Sequence, residues 1–269
     1  MLRKRSFLLS PLKSGVETRV AREVPFFDFP ALSAYSELAH FFFTRHGGVS
    51  DSPFQSLNVS FSTGDNAKRV ETNLSIIREV TGAMSLRFLN QVHGRHILIL
   101  RATTLQDDGE PCTADAMITD VPGVALLVKQ ADCQAVILYD PFRKVLANVH
   151  CGWRGNVHGL LRDVIAAMKA EFGCEPSQLR AAIGPSLGPC CAEFVTHREI
   201  FPESFMPFMI RENHFDLWAV SRHQLVHSGL KEAHIESADW CTCCRTDLFY
   251  SYRGEGRTGR FATVVMLKP

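Results

Sequence analysis

Two side chains able to do soft-metal or nucleophilic chemistry stand at the ends of apolar runs in the middle of this sequence. Cys133 lies where the run 124–128 gives way to the run 135–139, and His150 directly follows the run 145–149. These runs are β-branched or bulky, too short for helices, and separated by polar or turn-forming residues, so they predict three adjacent buried strands of one sheet. Both side chains would then emerge near one edge of that sheet. A thiolate and an imidazole brought together there suit either a zinc ion or a Cys/His nucleophile pair. His93, in a turn with Gly94, is the candidate third partner; taken alone it reads as a satisfied surface or core histidine. His96 competes for the role, but it opens the strand expected over 97–100. Asp115 stands among small apolar residues and reads as a turn residue, the alternative being a carboxylate that orients a ligand imidazole.

The elements that must position these residues follow from periodicity. Strands are expected at 24–29 and 41–43, and Val70, Leu74, Ile77 and Val80 recur at helical spacing between a cap at Asp65 or Asn66 and a stop at Gly82. Between them, Gly47 and Gly48 allow successive N–H groups to face an anion beside Arg45, a candidate phosphate cradle; the competing reading is a hairpin turn with a surface arginine. A polar, acidic loop is expected at 105–110. After Gly152-Trp153-Arg154-Gly155 comes one helix carrying Val157, Leu160, Leu161, Val164, Ile165, Met168 and Phe172, stopped by Gly173. Its N-terminus favours anions. Trp153 and Arg154 would stack on or fence a substrate, or the indole would fill core space. A strand is read at 179–183, a rigid Gly/Pro turn at 184–191, the start of a helix at 193–200 and a helix with a weak stripe at 216–229. His223 and His227 on that helix are read as a solvated face. No second cysteine pair is evident for Cys241, Cys243 and Cys244, which therefore read as buried thiols rather than a structural zinc site. The basic run 253–260 is a surface loop or a phosphate-facing lid.

Composition sets the bounds. The chain has 269 residues, 46% hydrophobic and 21% charged, with a formal net charge of +1, an ordinary globular balance that implies no nucleic-acid polymer as partner. The basic start carries too few apolar residues for a secretory signal, and no stretch approaches the ~20 apolar residues of a membrane helix. Nine cysteines, an odd number, in a chain with this much core material predict reduced thiols and a cytoplasmic protein.

The segments TRHGGVS, SLN, QVHG, ADAMIT, ADC, HCGWRG, IGPSLGPCC, CTCC, FYSYR and TGR occur in the order seen in the laccase-domain family, also called multicopper polyphenol oxidase-like proteins. The chain resembles that family from about Phe41 to its C-terminus. The resemblance implies an α/β protein with one domain over 1–269, residues 1–40 being the least defined, in four α/β/β/α layers with mixed β-sheets. It also implies a zinc ion and a purine nucleoside phosphorylase acting on adenosine, inosine, guanosine and methylthioadenosine with phosphate, which also deaminates adenosine. The family's zinc ligands fall on His93 of QVHG, Cys133 of ADC and His150 of HCGWRG. Cys151 stands where alanine is common, and Ala192 where an aromatic is common.

Two imidazoles and one thiolate would leave the fourth tetrahedral position free for water or substrate, the catalytic rather than the structural arrangement. For phosphorolysis, Arg45 with the backbone of Gly47 and Gly48 is the candidate phosphate cradle and Arg154 the alternate. Asn58 of SLN joins the binding candidates, and Asp132 or the zinc would assist the departing base. Copper fits less well: a trinuclear oxidase centre needs about ten histidines, mostly in His-X-His pairs, and this chain has eleven histidines with no such pair. Two other readings stand beside the zinc phosphorylase. One is a metal-free hydrolase with Cys133 as nucleophile and His150 as base, connected to a role suggested for bacterial family members in correcting peptidoglycan precursors. The other is a zinc-carrying partner module without turnover.

Overall fold

The closing strand, Phe261–Leu267, shows how the layers arise. Phe261, Val265 and Leu267 alternate with Ala262, Val264 and Met266, and all six are buried. Successive strand residues point to opposite faces, so a strand apolar on both must be covered on both. The computed structural model describes residues 17–103 and 111–269; the basic start and the acidic loop expected at 105–110 lie outside the described residues.

Two mixed six-stranded sheets form the centre. The first has the order β1 (Glu17–Ala21), β2 (Val24–Asp28), β3 (Leu38–Phe43), β14 (Phe261–Leu267), β7 (Val124–Gln130) and β4 (Ser85–Phe88), antiparallel except for the β4–β7 edge. The second runs β13 (Ile235–Ser237), β10 (Arg180–Ile183), β8 (Gln134–Asp140), β9 (Val145–Cys151), β6 (Ala116–Thr119) and β5 (Ile97–Leu100), with parallel pairs at its two edges. Phe42, Leu126, Ile137, Leu146, Phe261 and Val265 fill the space between the sheets. On the outer face of the first sheet lies α2 (Ala67–Thr81), whose Ile77 packs among Leu127 and Val264; α1 is the short Pro30–Ser33 turn. The outer face of the second sheet is covered by α4 (Leu160–Phe172), which follows α3 (Trp153–His158), and by α6 (Leu217–His227), which follows α5 (His197–Ile200). A last short helix, α7, is Tyr252–Glu255, and β11 (Met209–Arg211) pairs with β12 (His214–Phe215). The layering is therefore α/β/β/α. Each fully buried Leu, Ile, Val or Phe in it contributes roughly 1.5–3 kcal/mol.

Local rules account for α2. Asn66 accepts the Lys68 N–H at its N-terminus, and Gly82 at φ 68° donates to the Arg78 carbonyl at its end. Two expectations fail for non-local reasons. The runs read as three adjacent strands belong to different sheets: β8 pairs with β9, but β7 pairs with β14 and β4. Strand pairing is decided by partners far along the chain, and the segment 131–133 crosses from one sheet to the other. The helix expected as one piece after Gly155 is two, because Gly159 turns left-handed at φ 72° and ends α3 before α4 begins. After the break α4 packs Leu161, Val164 and Met168 on the sheet, while Trp153 and Val157 of α3 pack against the separate cluster of Phe194 and Phe201.

Candidate metal centre and cleft

On β9, Leu146, Asn148 and His150 share the face that looks into the gap between the sheets. Asn148 confirms the direction, since its Nδ2 donates to the carbonyls of Leu126 and Thr263 on the opposite sheet at 2.8 and 2.9 Å. His150 thus sits where that gap opens at the strand ends. Cys133 arrives from the crossing segment and His93 from the loop between β4 and β5. The three ligand atoms of His93, Cys133 and His150 lie within 4.8 Å of one another, and the two imidazole rings are 4.9 Å apart between centroids. His150 is buried, Cys133 partly so, and His93 exposed, so the group is closed on one side and open on the other.

Asp115 holds the arrangement together. Its fully buried carboxylate accepts from the backbone N–H groups of Val92, His93 and Gly94 at 3.3, 3.0 and 2.7 Å and meets Nδ1 of His150 at 2.8 Å. The Asp115 carbonyl also accepts the His150 N–H at 2.8 Å. One residue therefore fixes the backbone of one histidine and the ring of the other, which corrects its reading as a turn residue. Burial alone would push this carboxyl up, but the hydrogen bonds from His150, Gly94 and His93 outweigh it and hold it below the ordinary carboxylate range. An ionised Asp115 needs a donor, so Nδ1 of His150 carries the proton and Nε2 is presented to the site. Burial also opposes charge on Cys133 and His150, yet their mutual attraction wins: the thiol is lowered, and the imidazole is raised with help from Asp115. Gly152 leaves the room this requires, because a Cβ there would stand 2.6 Å from Cys133 Sγ.

These donors form part of the wall of a cleft of about 630 Å³. Lys129, Arg154, Arg253 and Arg260 line it with positive charge, and Trp153, Phe194 and Tyr252 with aromatic faces. Gln91 anchors the end of β7, donating to the Lys129 carbonyl at 2.7 Å and accepting the Lys129 N–H at 2.9 Å. Burial pushes the Lys129 ammonium down to about 8. Arg260 is also lowered by burial, and its backbone N–H rests on Asn58 Oδ1 at 2.8 Å. Arg253 is held from behind, its Nη1 donating to the carbonyls of Cys191 and Glu193 at 3.1 and 2.9 Å.

The structure does not bring the expected phosphate cradle to this cleft. Arg45 pairs with Glu255 at 2.8 Å, donates to the carbonyls of Thr246 and Gln55, and stacks on Tyr250. The Gly48 N–H donates to Ser56 Oγ and the Val49 N–H to Asn73 Oδ1, so the turn containing Gly47 and Gly48 is occupied from within. Asn58 is fully buried and donates to Ser60, Thr63 and Asp65, supporting the cleft wall from behind through Ser60 and Arg260. Asp132 does line the cleft, but its carboxylate accepts from Thr242 Oγ1, Ser251 Oγ and the Arg253 N–H at 2.7, 2.6 and 2.6 Å. It joins three segments of the wall. Arg154 reaches the cleft, with its guanidinium 4.3 Å above the Trp153 ring. Of the two readings of the run 253–260, the cleft-facing one fits Arg253 and Arg260. Lys129 carried no local signal, being one cation at the end of an apolar strand. The His223 and His227 rings lie 3.8 Å apart, tilted by 33°, with no third ligand beside them among the described residues.

Residues 39–268 match the family described as multi-copper polyphenol oxidoreductase laccase, and the chain belongs to it. The purine nucleoside phosphorylase of Bacteroides thetaiotaomicron is 33% identical over 259 residues, covering 89% of this chain and 95% of that protein. The purine nucleoside phosphorylase YlmD of Geobacillus stearothermophilus is 31% identical over 245 residues, with 82% and 87% covered. Among solved structures, that of Bacillus licheniformis hypothetical protein YfiH matches with a TM-score of 0.83 at 28% identity, covering 93% of this chain and 99% of that one.

Proposed function

We propose that this chain is a zinc-dependent purine nucleoside phosphorylase, converting adenosine, inosine, guanosine or methylthioadenosine and phosphate to the purine base and the sugar 1-phosphate, with adenosine deamination as a second activity. The observation that carries the reading is the His93, Cys133 and His150 group, open on one side, in a cleft lined by four cations. The names of the relatives support it. One thiolate and two imidazoles suit zinc and disfavour the hard, oxygen-seeking cations, and the Asp115 carboxylate behind His150 is the usual outer partner of a ligating imidazole. When bound, zinc supplies a Lewis acid at the cleft and lowers the pKa of a water it holds to about 7.

The rest of the chemistry belongs to the protein. Asp115 keeps the Nδ1 proton on His150 and aims Nε2 at the site. Lys129, Arg253 and Arg260 attract the phosphate and hold it as the nucleophile, the arginines by paired N–H groups. The faces of Trp153, Phe194 and Tyr252 take the purine. In phosphorolysis a phosphate oxygen bonds to C1′ as the C1′–N9 bond breaks, and that electron pair leaves with the base. Ser60, Ser62 and Asn90 line the same cleft and offer donors to the departing ring. In deamination, water adds at C6 and ammonia leaves. The nine cysteines, all free, fit a reducing compartment such as the cytoplasm.

The test is chromatography of adenosine and inosine after incubation with the zinc-loaded protein. Free base should form only when phosphate is present, and inosine should form from adenosine with or without it. Both nucleosides unchanged under all conditions would overturn the reading. A second reading has its own support: Cys133, His150 and Asp115 stand in the order of a nucleophile, its base and the orienting acid, as a thiol hydrolase of peptidoglycan precursors would require. It predicts that chelator leaves Cys133 no more reactive to alkylation than before, whereas a zinc ligand becomes reactive when the metal is withdrawn.

A further inference from the structure

Away from the cleft, a second set of soft donors comes together. Cys190 and Cys191 end the Gly/Pro turn that follows β10, while Cys241 and Cys244 belong to the loop after β13. Their four Sγ atoms lie within 4.8 Å of one another. Sγ of Cys244 stands 3.5 Å from those of both Cys190 and Cys191. Four thiolates at roughly 2.3 Å from one tetrahedral zinc stand about 3.8 Å apart. We propose that Cys190, Cys191, Cys241 and Cys244 bind a second zinc ion, in a closed four-thiolate site that fixes the wall of the cleft.

This corrects the reading of the last cysteines as buried thiols, which holds for Cys241 alone; Cys190 and Cys244 are exposed. The missing second pair was the Cys190-Cys191 step, more than fifty residues upstream, and Cys241-x-x-Cys244 was its visible half. Cys244 is equally close to two partners, which suits a shared ion, since a sulfur in a disulfide bonds to only one other. Charge is matched as well. Zinc replaces four thiol protons, which pass to solvent, and leaves a net −2 group; Arg211 and Arg253 place guanidinium nitrogens 3.0 and 3.1 Å from the carbonyls of Cys190 and Cys191.

The two segments are already joined by backbone, with the Thr242 N–H donating to the Ser186 carbonyl at 3.0 Å. From this frame Thr242 Oγ1 reaches Asp132 and the Cys191 carbonyl receives Arg253, and both of those residues line the cleft. An ion bridging 190–191 to 241–244 would therefore hold a phosphate-facing arginine in place without touching the substrate.

Metal analysis of the full chain, purified without chelator and under reducing conditions, tests this. Wild type should carry two zinc ions, Cys133→Ser one, and Cys190→Ser with Cys244→Ser one, the double variant losing zinc while the cleft's own ion stays. If the double variant fails to fold, Cys133→Ser settles the matter alone: with the cleft group broken and its remaining zinc stripped under reducing conditions, one equivalent of cobalt(II) should give the intense visible bands of a tetrahedral thiolate complex. A single zinc in wild type that Cys133→Ser abolishes would overturn the proposal, as would cobalt without those bands. Fewer than nine reactive thiols in the denatured, metal-free protein would mean a disulfide instead, and overturns it too. None of these readouts depends on nucleoside turnover, so they stand or fall apart from the phosphorylase reading.

Discussion

The two sulfur-containing clusters are built from overlapping donors for opposite ends. At His93, Cys133 and His150 only one ligand is anionic, so a divalent ion there keeps a net positive charge, and the exposed side of the cluster leaves it a free position. At Cys190, Cys191, Cys241 and Cys244 four thiolates quench the ion's charge and occupy its whole shell. The first has a buried carboxylate behind it and lines a cationic cleft; the second reaches the cleft indirectly, through Arg253, Asp132 and the apolar cluster that Cys241 shares with Leu187 and Phe194. Electrophilic power thus depends on how many ligand charges the chain withholds. Two segments that are distant in sequence meet at the four-cysteine group, whereas the open group takes its ligands from three segments, with Asp115 fixing His93 and His150.

Cys133→Ser should produce the largest effect. Removing the one anionic ligand of the open cluster should lower phosphate-dependent base release by more than ~10²-fold, the scale of losing one element of a preorganised charge-stabilising site, while Cys190→Ser with Cys244→Ser keeps kcat within about threefold and raises the phosphate KM by roughly fivefold, about 1 kcal/mol of lost positioning. Steady-state kinetics on the two variants check it, and equal losses in kcat would erase the distinction. Next, Asp115→Asn should cost about 10–100-fold in zinc affinity or turnover, since an amide cannot hold the Nδ1 proton of His150 as an anion does; competition with a chelator measures the affinity. Gly152→Ala places a methyl 2.6 Å from Cys133 Sγ and should weaken zinc by about tenfold, or 1.4 kcal/mol, with the four-cysteine ion unaffected. The smallest effect is on pH. Lys129 is lowered to about 8 by burial, so its charge is present below that pH and lost above it. The phosphate KM should accordingly rise a few-fold as pH climbs through about 8, and Lys129→Met should flatten that region of the profile.

Much of this was legible along the chain, in proportion to how local its cause was. The helix from Asn66 to Gly82 is written in a cap, a stripe and a stop, and it forms where those signals stand. Cys133 and His150 could be paired because each abuts an apolar run. The assignment of β7 to the opposite sheet could not be read, because strand partners come from 261–267 and 85–88 rather than from the neighbouring run. Arg45 misled for the same reason in reverse: a glycine pair beside a cation resembles an anion nest, but Glu255, more than two hundred residues away, had already claimed the guanidinium. For Asp115 the role of orienting an imidazole stood only as the alternative reading, because its alanine neighbours do not show the four donors that converge on its carboxylate. The Cys190-Cys191 step lacked a visible counterpart until the loop after β13 came alongside it.

The central claim is that phosphorolysis takes place where His93, Cys133 and His150 hold zinc. Anomalous scattering at the zinc edge, from crystals grown with inosine and phosphate, tests it most directly. A zinc peak is expected between Cys133 Sγ, His150 Nε2 and the His93 ring, with the nucleoside beside it and phosphate against Lys129, Arg253 or Arg260. A nucleoside bound with no metal at those three side chains, or phosphate seated on Arg45 instead, would contradict it.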